Sequence, residues 1–268
     1  MTGQNKIGRA ALLLVSAWLL VGQGSAHADQ PVVKTFEPSV AQDLDAVAPL
    51  QCNFDDTAEP TWFGFGDDKI AWANSTLVDE ATGGEITLRY PWSYLVPLSC
   101  GNNATCDVIT FRFHKQTYLP FRSKDAQTAE HKQRFRKGIR DVMRIVVEYE
   151  PLDDLEAATK RFIRGRHQVD LDEHTSVLSV AKLSDHGLYA IDLPKFGVGG
   201  DIKFAVQYDT VSDLMSCRRH GQVPTPSCSW WFDHGDLSVR ANVPLHELQY
   251  WQTHRRGIER LLGCFEAA

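Results

Sequence analysis

Six cysteines hold most of the chemical potential of this chain: Cys52, Cys100, Cys106, Cys217, Cys228 and Cys264. They could form a thiolate metal site, a reactive thiol pair or structural disulfides. Zinc takes four ligands and usually has two cysteines two to four residues apart; no pair here is that close. Cys100 and Cys106 instead flank "GNNAT", a turn composition. Cys217 and Cys228 flank "RRHGQVPTPS", a loop rich in Pro and Gly between two strand-like runs. Disulfides would close both loops, the second worth about 3 kcal/mol in the chain-entropy view. Cys52 and Cys264 are then left to tie the start of the fold to its last helix. Six cysteines allow fifteen pairings, so these three are expectations from spacing.

Two polar clusters could hold other chemistry. "HQVDLDEH" brings His167, Asp170, Asp172, Glu173 and His174 close together. Imidazole and carboxylate suit a divalent ion, but the spacing fits no motif of defined geometry, and a polar loop after a helix accounts for it equally. In "FDHGDLS", Asp233, His234 and Asp236 surround Gly235, a pattern that reads as turn chemistry. The chain has no G-x-S-x-G elbow, no H-E-x-x-H and no phosphate-cradling glycine loop; "GVGGD" at 197–201 reads as a turn. A Ser/His/Asp triad is recognised by geometry and not by order, so its absence does not follow. No catalytic residue, cofactor or metal ligand is assigned.

The disulfide reading depends on compartment, and the first 28 residues address it. Lys6 and Arg9 precede an apolar run, Ala10 to Val21, and Ala26-His27-Ala28 forms a small-x-small cleavage site. This is the build of a secretory signal peptide, and the run is too short to span a bilayer. It predicts export, to the bacterial periplasm. An even cysteine count behind such a leader reads as disulfides. Loss of the leader takes the formal net charge from −6 to −8, an acidity that argues against general nucleic-acid binding. No later stretch predicts a transmembrane segment.

Residues 29–50 hold Pro31, Pro38 and Pro49 and read as an extended arm. Residues 51–268 form the folded part, with a possible boundary between two lobes near 150. "EITLRYP" alternates apolar Ile86, Leu88 and Tyr90 with polar neighbours. "CDVITFRFH" sets Ile109, Phe111 and Phe113 against Val108, Thr110 and Arg112. Further strands are predicted at "RIVVEYEP", "TSVLSVAKL", "GLYAIDL", "DIKFAVQYD", "CSWWFD" and "LSVRANV". "PLDDLEAATKRFIRGRH" predicts a central helix with an acidic cap and basic end. Leu248, Trp251, Ile258, Leu261, Leu262 and Phe265 mark one face of a C-terminal helix, with Pro244 in its first turn. The expectation is an α+β fold of mainly antiparallel sheet, stapled by disulfides.

Residues 112–144 carry ten Lys/Arg against Asp125, Glu130 and Asp141. Two readings stand: a solvated basic face, or a docking surface for an acidic partner or anionic lipid, with Arg134, Arg136 and Lys137 as contacts. Arg218 and Arg219, in the loop closed by Cys217 and Cys228, join this candidate set. Trp230 and Trp231 point to opposite faces of one strand; one is core and the other can anchor a partner. We assign the anchor to Trp230.

"GLYAIDLPK", "DIKFAVQYD" and "MSCRRHGQVPTPSCSWWFDHGDLSVRANVPLHELQYWQTHRRGIERLLGCF" follow one another in an order that resembles the C-terminal part of a known family: the periplasmic immunity proteins encoded beside type VI secretion effectors, chiefly lipase-type toxins. "RYPWSYLVP" is similar to the strand that opens such proteins. The resemblance covers about half of the mature chain, and the basic stretch 112–144 has no counterpart in it. It implies a non-enzymatic protein that binds a secreted effector and blocks its active site or its access to membranes. An exported hydrolase with a dispersed triad and an envelope glycan- or lipid-binding protein are the other readings open to this sequence.

Overall fold

The computed structural model describes Cys52 and residues 72–79, 82–96, 99–121, 128–136, 141–149, 154–194, 200–218, 223 and 225–267. The predicted leader and arm lie outside them. Among the described residues eleven strands and three α-helices follow one another: β1 (Trp72–Val78), β2 (Glu85–Pro91), β3 (Ala104–Cys106), β4 (Val108–His114), α1 (Ala129–Arg136), β5 (Val142–Glu148), α2 (Leu155–His167), β6 (Ala181–Leu183), β7 (Tyr189–Ile191), β8 (Asp201–Gln207), β9 (Thr210–Cys217), β10 (Ser227–His234), β11 (Leu237–Pro244) and α3 (Trp251–Ala267). They build a three-stranded sheet, β2-β1-β3, and an eight-stranded sheet, β4-β5-β11-β10-β9-β8-β7-β6. Every pairing is antiparallel except β1 with β3. This is the expected α+β class. β5 pairs with β11, so strands from both sides of residue 150 share the large sheet.

Local sequence explains most elements. In β4, Ile109, Phe111 and Phe113 are fully buried while Thr110 and Arg112 face outward. The period of two leaves one face for the core. The β10–β11 hairpin turns on Gly235 at φ 58, pairing His234 with Leu237 across a two-residue loop; the first position of this turn needs positive φ. Helix α2 starts where the Asp154 side chain accepts from the Glu156 amide, and it stops at Gln168 in a left-handed conformation. Helix α3 buries Ile258, Leu261, Leu262 and Phe265. Pro244 precedes it but opens a 3-10 turn, Leu245–Tyr250, rather than the α-helix itself. "TSVLSVAKL" is strand only over Ala181–Leu183. Ser176 caps a 3-10 turn over Val177–Val180 by accepting from the Leu178 amide.

The large sheet has a core on each face. On one, α3 and the small sheet pack around Tyr90, Tyr94, Phe111 and Phe265, whose rings meet at 4.8–5.7 Å. On the other, α2 covers Phe204, Leu214 and Ile202 through Leu155, Ala158 and Ile163. Three disulfides staple the whole: Cys52–Cys264, Cys100–Cys106 and Cys217–Cys228, with Cα separations of 5.2, 6.1 and 3.9 Å. Cys217 and Cys228 are directly opposed in β9 and β10, so this bridge closes the ladder at the foot of its loop. Beside it, a Cβ on Gly200 would lie 1.8 Å from the Cys217 carbonyl oxygen, an approach that only glycine permits.

Candidate functional site

One row of directly opposed residues crosses all eight strands of the large sheet. Thr110 faces Val146, which faces Arg240, then Trp231, Leu214, Phe204, Tyr189 and Leu183. Opposed residues lie on the same face, so the row samples a single surface. From Trp231 to Tyr189 it belongs to the core under α2, where the Phe162 ring stands 5.5 Å from that of Trp231. Beyond Trp231 the row leaves the core under α2, and at its far edge Phe121 packs on His114 and against His131 of α1. Arg240 is exposed, and Val146 and Thr110 are half-buried.

The β4-β5-β11 half of this face carries three arginines. Arg112 and Arg144 are directly opposed across β4 and β5, and Arg240 lies on the next strand, β11. Two of them are braced by aromatics: Arg240 stacks over Trp231 at 5.6 Å and Arg112 over Phe121 at 5.4 Å. Burial, and then the charge of Arg144, hold the Arg112 guanidinium below its ordinary pKa. Among the described residues no carboxylate forms an ion pair with any of the three. Two carboxylates share the face: Glu148 and Asp233, both opposed to Ser238 one row away from Val146 and Arg240. At the other end Arg166 of α2 donates to the Gly200 carbonyl at 2.7 Å and to Ser216 Oγ at 2.6 Å. This part of the sheet therefore carries an arginine field with an acidic margin.

The residues expected to contact a partner have different placements. Arg134 lies on α1 and is committed internally: its Nε and Nη2 donate to the two oxygens of Asp141 at 2.8 and 2.6 Å. Burial would raise the Asp141 pKa, but this bidentate bond and the charges of Arg134, Lys115 and His131 outweigh it and hold the carboxyl below its usual range. Arg218 is exposed just past β9, its amide donating to the Ser227 carbonyl. The Arg136 side chain, Lys137 and Arg219 lie outside the described residues. The anchor assignment of Trp230 is corrected. Its side chain is fully buried, with Nε1 donating to Asp213 Oδ1 at 2.8 Å and its ring edge-on to Trp251 at 6.3 Å. A buried indole N–H needs an acceptor, and Asp213 supplies one on the α3 side. Trp231 is the half-exposed member of the pair.

The polar clusters of the sequence separate into local roles. His167 is buried and its Nδ1 donates to the Pro194 carbonyl; Asp172 accepts from the amide and hydroxyl of Thr175; Asp170 lies 3.9 Å from Arg164. Among the described residues no group of three or more His, Cys, Asp or Glu is placed to hold a metal ion. Two buried ionic clusters sit deeper. Asp213 pairs with Arg255. Lys115 pairs with Glu247, whose other oxygen lies 3.9 Å from His254 Nε2. Burial above all pushes His254 down to about 4, so its imidazole is neutral at pH 7.

Sequence reasoning placed Arg112 on the outward face of its strand but did not bring Arg144 and Arg240 to it. The signal was one arginine at an outward position in each of "VITFRFH", "VMRIVVE" and "LSVRANV"; joining them required the strand order.

No helix among the described residues is long and apolar enough to cross a membrane. No family model matches the chain, and no curated protein matches it. Among solved structures, the chain is similar to an immunity protein of the Stenotrophomonas maltophilia type IV secretion system, at 17% identity and TM-score 0.47, over 67% of this chain and 89% of that one. It is also similar to the Neisseria meningitidis iron-regulated outer membrane lipoprotein FrpD, at 11% identity and TM-score 0.39, over 80% of this chain and 99% of that one. At these overlaps neither likeness carries an argument about function.

Proposed function

We propose that the chain is an exported, non-enzymatic protein of the bacterial periplasm that neutralises a delivered toxin by protein–protein contact, as an immunity protein of a type VI secretion effector does. The observation that carries this reading is the β4-β5-β11 half of the large sheet, where arginines stand on a cross-linked frame and no carboxylate among the described residues is paired to them. A surface held in place before contact loses little conformational freedom on binding. The leader-like first 28 residues and the order of strands, cysteines and helix from Gly187 to Phe265 agree with it.

The test is direct. The purified mature protein is assayed for binding to each product of its neighbouring genes, and cells expressing it are challenged with the same product directed to the periplasm. Binding with protection is the expected result. No binding to any neighbouring product, together with no protection, overturns the proposal.

A further inference from the structure

The arginine field has a charge pattern that specifies what can cover it. Arg112 and Arg144 are like charges directly opposed in a sheet, an arrangement that is unfavourable unless an anion intervenes. Arg112 is also partly withdrawn from water: its Nε is buried and has no hydrogen-bond partner. A buried donor left unmade is costly. Arg144 and Arg240 are exposed on the same face. The chain as a whole is acidic, at a net charge of −6, yet among the described residues no carboxylate pairs with these three guanidiniums. Guanidinium forks select carboxylates in bidentate geometry, and stacking on Trp231 and Phe121 already orients two of the forks.

Resting on the neutralisation reading, we propose that Arg112, Arg144 and Arg240 form the docking site for an acidic protein segment. The partner presents Asp or Glu carboxylates to the opposed Arg112–Arg144 pair and to Arg240. Glu148 lies beside the site on the same face, exposed, and sets the polarity of the contact, because it repels an extension of the partner's acidic run in its direction. That mixed pattern, basic then acidic within one sheet face, suits a protein of defined charge sequence and disfavours a uniformly anionic lipid surface. Lipid binding would also call for protruding apolar side chains. Among the described residues the exposed large hydrophobics are Leu119 in the turn after β4, Leu183 on β6 at the opposite edge of the sheet and Tyr208 in the β8–β9 turn, and none is on β4, β5 or β11.

The experiment uses the mature chain and the double variant R144E/R240E, whose substituted positions are exposed, with R144Q/R240Q as a milder companion. Far-UV circular dichroism and the thermal midpoint establish that each is folded. The first probe is an eight-glutamate peptide at about 20 mM salt, where screening of exposed charges is weak, with its footprint read from amide chemical shifts. Shifts on β4, β5 and β11 that fade with added salt, and a loss of at least about tenfold in affinity in R144E/R240E, support the site. No shifts, or shifts confined to 128–136, overturn it. The second probe is a vesicle of phosphatidylglycerol; capture by vesicles through these arginines without peptide binding overturns the choice of a protein partner. The third is the neighbouring gene product. If wild type and R144E/R240E bind that product equally, the docking site is wrong and the neutralisation reading stands. If the peptide footprint appears but no neighbouring product binds, the site stands and the neutralisation reading falls.

Discussion

Inside the fold, Arg255 Nη1 lies 2.6 Å from Oδ1 of Asp213, the oxygen that also accepts the indole N–H of Trp230. Asp213 is 2% exposed, and Arg255 further donates to the carbonyls of Ser212 and Asp233 and stacks over Phe232 at 4.2 Å. Burial dominates: the Asp213 pKa is raised even with the guanidinium in contact. A buried pair of this kind is expensive to break and much less so to replace. We expect R255M to destabilise by about 3–5 kcal/mol in denaturant unfolding, because a buried carboxylate is left unpaired. The double variant D213N/R255M, which removes both charges and keeps an acceptor for the Trp230 indole, recovers most of that loss; equal losses in both would show that the pair itself, not the stranded charge, supplies the stability.

A second prediction concerns Gly257 in the middle of α3. Alanine is the better helix former by about 1 kcal/mol, so propensity alone favours Gly257→Ala. Sterics oppose it, since the new Cβ would lie 1.9 Å from Cζ of the Tyr118 ring. That ring is buried, with its hydroxyl 3.3 Å from His254 Nδ1 and 3.4 Å from the Thr253 carbonyl. Overpacking wins, at a cost of about 1–3 kcal/mol. The added mutation Tyr118→Leu removes the obstructing ring, and thermal melts should show that Gly257→Ala costs less in that background than in wild type.

A third follows from His254. Its folded pKa is depressed from an ordinary 6.5 to about 4, chiefly by burial. As pH falls below 6.5 the unfolded chain takes up the proton first, so the stability present above that pH is lost between 6.5 and about 4. The shift corresponds to about 3 kcal/mol. Glu247 acts in the same direction lower on the scale. Burial would raise its pKa, but hydrogen bonds and charge from His246 and Lys115 hold it below its ordinary 4.5, so its contribution is also lost on acidification. Unfolding midpoints measured from pH 7 to 4 should fall steeply in wild type and less steeply in H254N over the upper part of that window. Parallel curves would clear His254 of the effect.

Much of this architecture was legible in the sequence and some was not, for physical reasons. Strict alternation in β4 and the helical spacing of Ile258, Leu261, Leu262 and Phe265 reflect single faces turned to a core, so a local window reveals them. The three cysteine pairs follow from turn composition and remainder. The run Val177–Val180 has strand composition, yet the Ser176 hydroxyl diverts its backbone into a 3-10 turn. That Trp230 and Trp231 face opposite ways was readable; which of them is interior depends on Asp213 and α3, both remote in sequence. The arginine field was hidden for the same reason. Arg112, Arg144 and Arg240 sit on three strands, and only the order β4-β5-β11 makes them neighbours.

A fourth prediction ranks the disulfides. In the chain-entropy model the benefit grows with the logarithm of the loop closed. With separations of 212, 11 and 6 residues, Cys52–Cys264, Cys217–Cys228 and Cys100–Cys106 rank in that order, at about 5, 3 and 2 kcal/mol. Paired Cys→Ala variants, compared by chemical denaturation, should lose stability in that sequence. The reverse order would mean that local geometry outweighs chain entropy.

The Cys52–Cys264 bridge also decides how the molecule answers to force. Traction applied upstream of Cys52 and downstream of Cys264 passes from one sulfur to the other. The sheets and helices between them carry none of that load. A partner that tugs on either flank therefore strains a covalent link and leaves every strand in register. The same tug on a reduced chain would fall on the hydrogen-bonded framework itself.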